Sequence, residues 1–327
     1  MIRKLLGLFA AAALLGSATA RANDSSANLG VGGLEFVFND RVEMRSEDLF
    51  ISEKEIRVRY VFRNLSDRDV TNLVAFPMPD ILYQLNYAIE IPVPDAENFL
   101  DFHTLVDGVP VKAEVERRVL SLGIDRTRLL EDLKVPLMPF GEPTEAALTA
   151  LPPDSRQRLL SLGLARVESN DAGRGPYLTP QNWTLRTTYY WTQTFPAGKD
   201  LSVEHRYKPS VGMRTTSSLR AAPRERWEIE DTADYKRRYC VERDILEAVT
   251  RAGGRYTEHR ISYFLTTGAY WARPIGEFTL TVDKGAPQNL VTFCGKDVRK
   301  IGPTTFQMKK KDFYPAENLE ILVLKPY

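Results

Sequence analysis

The chain has 327 residues, with 44 Lys and Arg against 43 Asp and Glu and a formal net charge of +1. This near balance excludes the strongly cationic surface that broad nucleic-acid binding requires. Beyond the N-terminal segment no apolar run approaches the roughly 20 residues that span a bilayer, so we expect no transmembrane segment in the mature chain.

The first 22 residues have the pattern of a secretory signal peptide. Residues 1–4 include two basic side chains, residues 5–16 are apolar and uncharged, and Ala20-Arg-Ala22 is a small-x-small cleavage site. A membrane anchor is disfavoured because roughly 12 apolar residues are too few to cross a bilayer. We predict cleavage after Ala22, export to the periplasm, and a mature chain of 305 residues with a formal charge of −2, since three basic residues leave with the leader.

The mature chain contains two cysteines, Cys240 and Cys294. In an oxidising compartment an isolated pair most often forms a disulfide. Closing a loop of about 55 residues would stabilise the fold by roughly 4 kcal/mol in the chain-entropy model. A redox-active pair is the alternative, but the spacing is not that of a C-x-x-C motif.

Residues 23–120 are predicted to form an N-terminal β-sandwich-like domain. The clearest evidence is the stretch 55–63, where apolar side chains alternate with charged ones, as in a half-buried antiparallel strand. We interpret its arginines as a solvated sheet face, with an anion site as the alternative. Asp107-Gly108 is a hairpin signal between two further strands. The apolar positions of the alternating stretch are Ile56, Val58, Tyr60 and Phe62.

Residues 121–166 are predicted to be a helical insertion, with Asp125, Thr144 and Asp154 as candidate N-caps. The insertion is either a lid over a site or a strut packed on the sandwich. We favour the strut, because its leucines suffice to dock it and no glycine hinge flanks both ends. The segments Leu120-Ser-Leu-Gly-Ile124 and Leu160-Ser-Leu-Gly-Leu164 are alike, but one short match does not establish a repeat.

Residues 167–327 are predicted to form a C-terminal β-rich domain with one helix at 232–251. Its strands include 183–195, 201–207, three β-rich runs between Ile261 and Cys294, and a final strand at 319–324. Cys240 falls on the helix, so the disulfide would tie helix to sheet. The fold class expected for the whole chain is mainly β (α+β), with two antiparallel β-sandwich-like lobes, a helical insertion and one further helix.

No motif in the sequence identifies a reaction. The histidines, His103, His205 and His259, do not stand at any metal-ligand spacing, and no G-x-S-x-G or C-x-x-C motif is present. We therefore predict no catalytic residue, no metal and no cofactor. The alternative is a secreted hydrolase, metal-assisted through His205 with Glu204 beside it.

Aromatic residues in the second half of the chain are the candidate binding groups. They border predicted turns, and exposed aromatic platforms often hold sugars, peptides or protein partners. The alternative is that these side chains fill the core of the sandwich. We expect a non-enzymatic role in recognising an envelope protein or glycan, or else a structural subunit of an envelope assembly. The predicted binding residues are Trp191, His205, Tyr207, Tyr270 and Trp271.

Several segments spread over the mature chain resemble the bacterial domain-of-unknown-function family 4424. The resemblance implies an exported protein of Gram-negative bacteria and supports the pairing of Cys240 with Cys294. It implies no established activity, so it assigns no catalytic residue. The segments are Asn23-Asp-Ser-Ser-Ala27, Ser46-Glu-Asp-Leu-Phe-Ile-Ser52, Val74-Ala-Phe-Pro-Met-Pro-Asp80, Tyr190-Trp-Thr-Gln-Thr-Phe-Pro196, Val203-Glu-His-Arg-Tyr-Lys-Pro209, Leu265-Thr-Thr-Gly-Ala269, Trp271, Pro274-Ile-Gly276 and Val282-Asp-Lys-Gly285, and the cysteine segments are Tyr239-Cys-Val241 and Phe293-Cys-Gly295.

Overall fold

The computed structural model of the chain describes residues 24–30, 33–83, 88–93, 97–169, 176–215, 219 and 232–327. The predicted signal peptide lies outside these residues. The described chain is mostly β-strand with a few short helices, as the sequence pattern predicts. None of its helices is long and apolar enough to cross a membrane.

The first part of the chain is a series of β-strands followed by three short helices. The strands are β1 (Ser25–Gly30), β2 (Gly33–Val37), β3 (Val42–Ile51), β4 (Ile56–Asn64), β5 (Val70–Pro77), β6 (Ile81–Leu82), β7 (Ala88–Glu90), β8 (His103–Val106), β9 (Val109–Val111), β10 (Glu114–Ser121) and β11 (Ile124–Asp125). The helices are α1 (Thr127–Asp132), α2 (Glu142–Ala150) and α3 (Pro153–Ser161).

The second part returns to strands around a pair of helices. Before the pair come β12 (Ala165–Glu168), β13 (Tyr177–Pro180), β14 (Thr184–Phe195), β15 (Asp200–Tyr207) and β16 (Val211–Arg214). The pair is α4 (Thr232–Arg238) and α5 (Arg243–Arg251). After it come β17 (Tyr256–Tyr263), a 3₁₀ helix (Thr266–Tyr270), β18 (Ile275–Asp283), β19 (Leu290–Phe293), β20 (Arg299–Lys300), β21 (Thr305–Phe313) and β22 (Leu319–Pro326).

Two large sheets pack face to face as a sandwich. One has the order β11-β10-β14-β5-β1-β2, with β6 also pairing to β14, and the other has the order β20-β21-β18-β3-β4-β15-β8-β9. Their inner faces meet around His205 of β15. The ring of Phe76 on β5 lies 4.8 Å from its imidazole and that of Trp191 on β14 lies 5.2 Å away, measured between centroids.

A third sheet, ordered β19-β22-β17-β16-β7, separates the sandwich core from the helical pair. Its second strand, β22, lies between β19 and β17 and is buried on both faces. Ile321 and Val323 belong to the main core, whereas Leu322 and Leu324 belong to a smaller core with residues of α4 and α5. A strand covered on both sides reads as a continuous apolar run, which explains why 321–324 shows no alternation.

Strand β4 shows how the alternating pattern directs the fold. Its apolar positions Ile56, Val58, Tyr60 and Phe62 are at most 1% exposed, which confirms the predicted half-buried strand. On the outer face Arg59 pairs with Glu204 of the neighbouring β15 at 2.9 Å. Arginines of this face thus form cross-strand ion pairs on a solvated surface.

The helical insertion packs on the sandwich through buried leucines. Leu130, Leu148 and Leu159 are fully buried in the main core, one from each of α1, α2 and α3. The helices start at other residues than predicted. Gly141 precedes α2 and Pro152 precedes α3, because proline in the first turn sets each start. Asp125 still accepts the Thr127 amide at 2.9 Å, one residue outside the cap position of α1.

The predicted single helix at 232–251 is two helices, and Cys240 lies in the turn between them. Cys240 has φ +47°, the left-handed conformation that ends a helix. The Val241 and Cys240 amides donate to the Lys236 and Arg237 carbonyls, the paired bonds of a Schellman helix end. The predicted disulfide to Cys294 is present, and it joins this turn to the end of β19.

Strand pairing crosses the domain boundaries drawn from the sequence. In the eight-stranded sheet β3 and β4 from the first segment pair with β18 and β15 from the last, respectively. The sheet therefore joins segments that the sequence assigned to different domains. The division into 23–120, 121–166 and 167–327 stays a prediction. Local patterns locate strands, but pairing partners distant in sequence leave no local signal.

Candidate functional site

Strand β15 presents two chemically different faces. His205 and Tyr207 point into the core, where they are 0% and 2% exposed. Glu204 and Arg206 alternate with them and point outward. Because successive side chains on a strand face opposite sides, these neighbours in sequence belong to two separate environments.

The inward face carries a buried polar network centred on His205. Its Nε2 lies 3.0 Å from Oδ1 of Asp24, and its Nδ1 lies 3.0 Å from Oγ1 of Thr104. The Asp24 carbonyl accepts the indole N–H of Trp271 at 2.8 Å. Burial raises the pKa of the Asp24 carboxyl, while the adjacent His205 acts in the opposite direction.

The order Thr104, His205, Asp24 is that of a nucleophile, a base and an orienting acid. The three residues are only 3%, 0% and 0% exposed, so this network is almost entirely enclosed by the sandwich. The network instead satisfies polar groups that the sandwich buries. Asp24 and Thr104 are far from His205 in sequence, and no spacing signal could have identified them.

The five predicted binding residues lie largely in the core. Trp191 is 4% and Trp271 is 1% exposed, and Trp271 packs on Phe62 with ring centroids 4.7 Å apart. Only Tyr270, at the end of the 3₁₀ helix, is half-buried. Core packing, the alternative that the sequence left open, thus describes four of the five, including His205 and Tyr207. A binding role for them stays a prediction.

Tyr207 has one unusual property among these residues. Its hydroxyl is buried and has no hydrogen-bond partner among the described residues. Burial also raises the pKa of this phenol well above its ordinary value, so it remains neutral. A buried hydroxyl without a partner destabilises the fold rather than supporting it.

The structure provides no ligand set for the metal-assisted hydrolase considered above. Glu204 and His205 lie on opposite faces of β15 and cannot share an ion. In the part of the chain that the structure describes, no group of three or more His, Cys, Asp or Glu side chains is placed to hold a metal.

A pocket of about 630 Å³, here called the corner pocket, opens where the two large sheets separate. Strand β9 is the edge of the eight-stranded sheet, and β10 begins three residues later in the seven-stranded sheet. The chain changes sheets at Lys112 and Ala113, and both line the pocket. The sandwich is open at this corner because one strand passes from one sheet to the other.

The corner pocket has apolar walls and a charged rim. The apolar lining is Phe102, Leu105, Pro110, Val111, Ala113, Val115 and Tyr189. The charged and polar lining is Glu97, Asn98, His103, Thr104, Lys112, Glu204 and Arg206. Thr104 and Phe102 connect this surface with the network below, since Phe102 stacks on His205 with centroids 5.1 Å apart.

The floor of the pocket is held by hydrogen bonds of Asn98. Its Oδ1 accepts the Tyr189 hydroxyl at 2.8 Å and the Phe102 amide at 2.8 Å, and its Nδ2 donates to the Phe102 carbonyl at 3.0 Å. Tyr189 and Phe102 stack with centroids 4.2 Å apart. Burial raises the pKa of Tyr189, which keeps the phenol protonated as a donor. The floor is therefore rigid, and its polar groups are already paired.

Three side chains of the rim are held by neighbours. Glu204 accepts from Arg59 at 2.9 Å, and Arg206 pairs with Glu55 at 3.0 Å. His103 lies 2.9 Å from Asp101, whose pKa is lowered chiefly by its hydrogen bond from Lys208. The corner pocket was not predicted from the sequence, because the walls of the pocket come from four strands and a turn. The strand predicted at 201–207 contains Glu204 and Arg206, but the sequence did not show that they border a pocket.

The fold and the pocket define a disulfide-bridged, mainly β sandwich protein with an open corner. The chain belongs to the family described as Domain of unknown function (DUF4424), whose model matches residues 22–322. This confirms the resemblance drawn from the sequence segments. No curated protein matches the sequence.

One solved structure similar to the chain is a "putative nutrient binding protein" from Legionella pneumophila. The two share 14% identity, with 93% of this chain and 70% of that chain covered and a TM-score of 0.45. Similarity at this level assigns no ligand to the corner pocket.

Proposed function

We propose that the protein is a non-enzymatic binding module that holds an apolar side chain of a protein partner in the corner pocket. The observation that carries this proposal is the pocket itself, which joins apolar walls to a rim of fixed charges. Its volume of about 630 Å³ falls within the range of ligand sites in proteins.

The chemistry of the lining favours a protein partner over a glycan. Sugar recognition uses open aromatic faces together with free hydrogen-bonding groups. Here the Tyr189 hydroxyl and the Asn98 amide are already bonded to each other or to Phe102. Trp191 and Trp271 are buried and offer no platform. A Leu, Val or Phe side chain suits the walls, and charges beside it can pair with Glu204, Arg206 or Lys112.

The partner would dock by side chains rather than by adding a strand. Strand β9 borders the pocket and is a sheet edge, which is the usual place for strand addition. Pro110 occupies the middle of β9 and has no N–H to donate to an incoming strand. This edge is therefore protected, and affinity has to come from the pocket and its rim.

We also propose that the protein works in the periplasm. The leader pattern in residues 1–22 supports export, and the Cys240–Cys294 disulfide is of the kind that persists in oxidising compartments. Intact mass measurement of protein from the periplasmic fraction tests this, with a mature chain starting at Asn23 expected. Full-length protein confined to the cytoplasm would contradict it.

The binding proposal is tested with displayed random peptides selected on the disulfide-bonded mature protein. Synthetic versions of the selected peptides are then titrated by calorimetry into wild type, Ala113→Arg and Val167→Arg. The Ala113→Arg side chain would fill the pocket, whereas Val167, 56% exposed on β12, is the matched control on another hairpin. We expect Ala113→Arg to weaken binding at least about tenfold, the effect of losing one buried apolar anchor.

The result for Val167→Arg should match wild type, and both variants should unfold within about 1 kcal/mol of wild type, as surface changes usually do. Peptides that bind Ala113→Arg as tightly as wild type would overturn the pocket as the site. Glycans that bind on an array and are lost with Ala113→Arg would keep the site but refute a protein partner.

A further inference from the structure

The turn between β10 and β11 has an unusual residue at its tip. Ser121 and Ile124 pair across a two-residue loop in which Leu122 has φ +50° and Gly123 has φ +80°. This is the pattern of a type I′ turn, whose first position favours Asn, Asp or Gly. A leucine there adopts a left-handed backbone conformation that its side chain disfavours. Such outliers direct attention to a function at the site.

The residues of this turn, 121–124, form what we call the hairpin tip, and its aliphatic side chains are exposed. Leu122 is 76% exposed and Ile124 is 53% exposed. Leu82, 43% exposed, lies at the same end of the sheet, two strands from Leu120 in register. The strained backbone therefore presents apolar side chains to the solvent rather than burying them.

Basic side chains follow the hairpin tip directly. Arg126 and Arg128 lie at the start of α1, where Arg128 is exposed and Arg126 is half-buried, with its Nε buried and without a hydrogen-bond partner among the described residues. Arg118 and Asp125 neutralise each other at 2.7 Å, so they add little net charge. The acids Glu131 and Asp132 lie in the last turn of this six-residue helix, and Asp132 is four residues after Arg128. The tip thus combines projecting aliphatic groups with local positive charge.

The similar segment Leu160-Ser-Leu-Gly-Leu164 shows that this sequence does not by itself expose its aliphatic side chains to solvent. There the chain ends helix α3, Gly163 has φ +67°, and Leu162 keeps the ordinary right-handed conformation. Leu164 is fully buried in the main core. The same five-residue pattern is packed at one place and projects at the other.

We propose that the hairpin tip inserts into the surface of an anionic phospholipid bilayer. Leu122 and Ile124 would enter the boundary between headgroups and acyl chains, and Arg126 and Arg128 would contact lipid phosphates. Segments that bind a membrane surface combine burial of apolar side chains with electrostatic attraction of basic side chains to anionic lipids. The corner pocket lies at the other end of β10, roughly 25 Å from the tip at about 3.3 Å per residue, and would remain open to partners.

Co-sedimentation with vesicles tests the proposal with the mature protein. The vesicles are phosphatidylglycerol mixed equally with phosphatidylcholine, and phosphatidylcholine alone. The variants are Leu122→Asn, the double change Arg126→Ala with Arg128→Ala, and Val167→Asn as an exposed aliphatic control on β12. Leu122→Asn is informative because Asn suits the left-handed position, so its melting temperature should equal or exceed that of wild type.

We expect wild type and Val167→Asn to bind the anionic vesicles, and Leu122→Asn to bind about tenfold more weakly, as burial of one leucine predicts. The double arginine variant should lose the preference for anionic over neutral vesicles. Wild type that stays in the supernatant with anionic vesicles would overturn the proposal. So would Leu122→Asn that remains folded and binds as wild type, since the attraction would then lie elsewhere on the protein.

Discussion

The two faces of strand β15 are made of adjacent residues but have opposite roles. On the inner face His205 joins Asp24, Thr104 and the aromatic core, with no exposure to solvent. On the outer face Glu204 and Arg206 form the rim of the corner pocket. The predicted binding residues of this strand, His205 and Tyr207, belong to the inner face. The charged groups that solvent can reach, Glu204 and Arg206, lie on the outer face.

In this protein the aromatic and histidine side chains predicted to bind are instead mostly packed in the core. In a sandwich the largest side chains fill the space between the sheets. The sites left open are those where a strand changes sheets, as β9 and β10 do at Lys112 and Ala113. Variants of inner-face residues should therefore change the free energy of unfolding, whereas variants of the corner pocket should change binding.

The largest effect is expected for Trp271→Ala on the inner side. Its ring packs on Phe62 and Phe195, and its N–H binds the Asp24 carbonyl. Removal should lower the free energy of unfolding by about 3–5 kcal/mol, as for other buried tryptophans. Denaturant unfolding measures this, with the half-buried neighbour Tyr270→Ala as the control. A loss smaller for Trp271→Ala than for Tyr270→Ala would contradict the assignment of Trp271 to the core.

The next effect concerns the buried Asp24–His205 pair. Asp24→Ala and His205→Ala each leave a buried polar partner unpaired, which should destabilise the protein by about 3 kcal/mol. The double variant should lose clearly less than the sum, because the second change removes the orphaned group. A double-mutant cycle in denaturant measures the coupling. Strict additivity would show that the two side chains do not interact.

The pH dependence of stability provides a second test of the buried Asp24–His205 pair. Because burial raises the Asp24 pKa above its ordinary 3.8, the folded carboxyl keeps its proton to higher pH than the unfolded one. The protonated Asp24 carboxyl thus contributes its full share of stability at pH values below the unfolded pKa of 3.8. This contribution is lost as pH rises through the higher pKa of the folded state. Asp24→Asn should remove this dependence. Wild type should therefore lose stability relative to the variant as pH rises from about 4.

Unfolding curves at a series of pH values provide the measurement for Asp24→Asn. Since each unit of pKa difference corresponds to about 1.4 kcal/mol, even a moderate shift is measurable. A difference between wild type and variant that stays constant with pH would show that the Asp24 carboxyl titrates alike in both states.

The smallest expected effect on stability is that of Tyr207→Phe. The change removes a buried hydroxyl that has no partner among the described residues, while the ring keeps its packing. The variant should be as stable as wild type or more stable by up to about 1 kcal/mol. Thermal and denaturant unfolding check this. A loss beyond about 1 kcal/mol would reveal a hydrogen bond that the hydroxyl makes in solution.

Much of the fold was predictable because its strands alternate or carry recognisable turns. Alternation located β4, and the strand predicted at 201–207 is β15. Asp107-Gly108 was predicted as a turn and adopts positive φ at both residues. Strand β21 was missed, since its three consecutive lysines at 309–311 obscure any period. The break at Cys240 was missed because propensity does not signal a cysteine in the left-handed conformation.

The candidate site was much less predictable than the fold. It depends on the corner where β9 leads into β10, on a turn holding Asn98, and on Tyr189 from a distant strand. Each of these is ordinary in sequence. Their convergence is a tertiary property, which no local spacing encodes.

Methyl NMR compares the corner pocket and the core in one spectrum and so tests the binding site directly. Methyl groups of Val and Leu are labelled, and a peptide selected on the wild-type protein is added. We expect chemical-shift changes at Leu105, Val111 and Val115, which line the corner pocket, and none at Val58 or Val203 of the core. Shifts confined to other surfaces, with the three pocket residues unchanged, would contradict the corner pocket as the binding site.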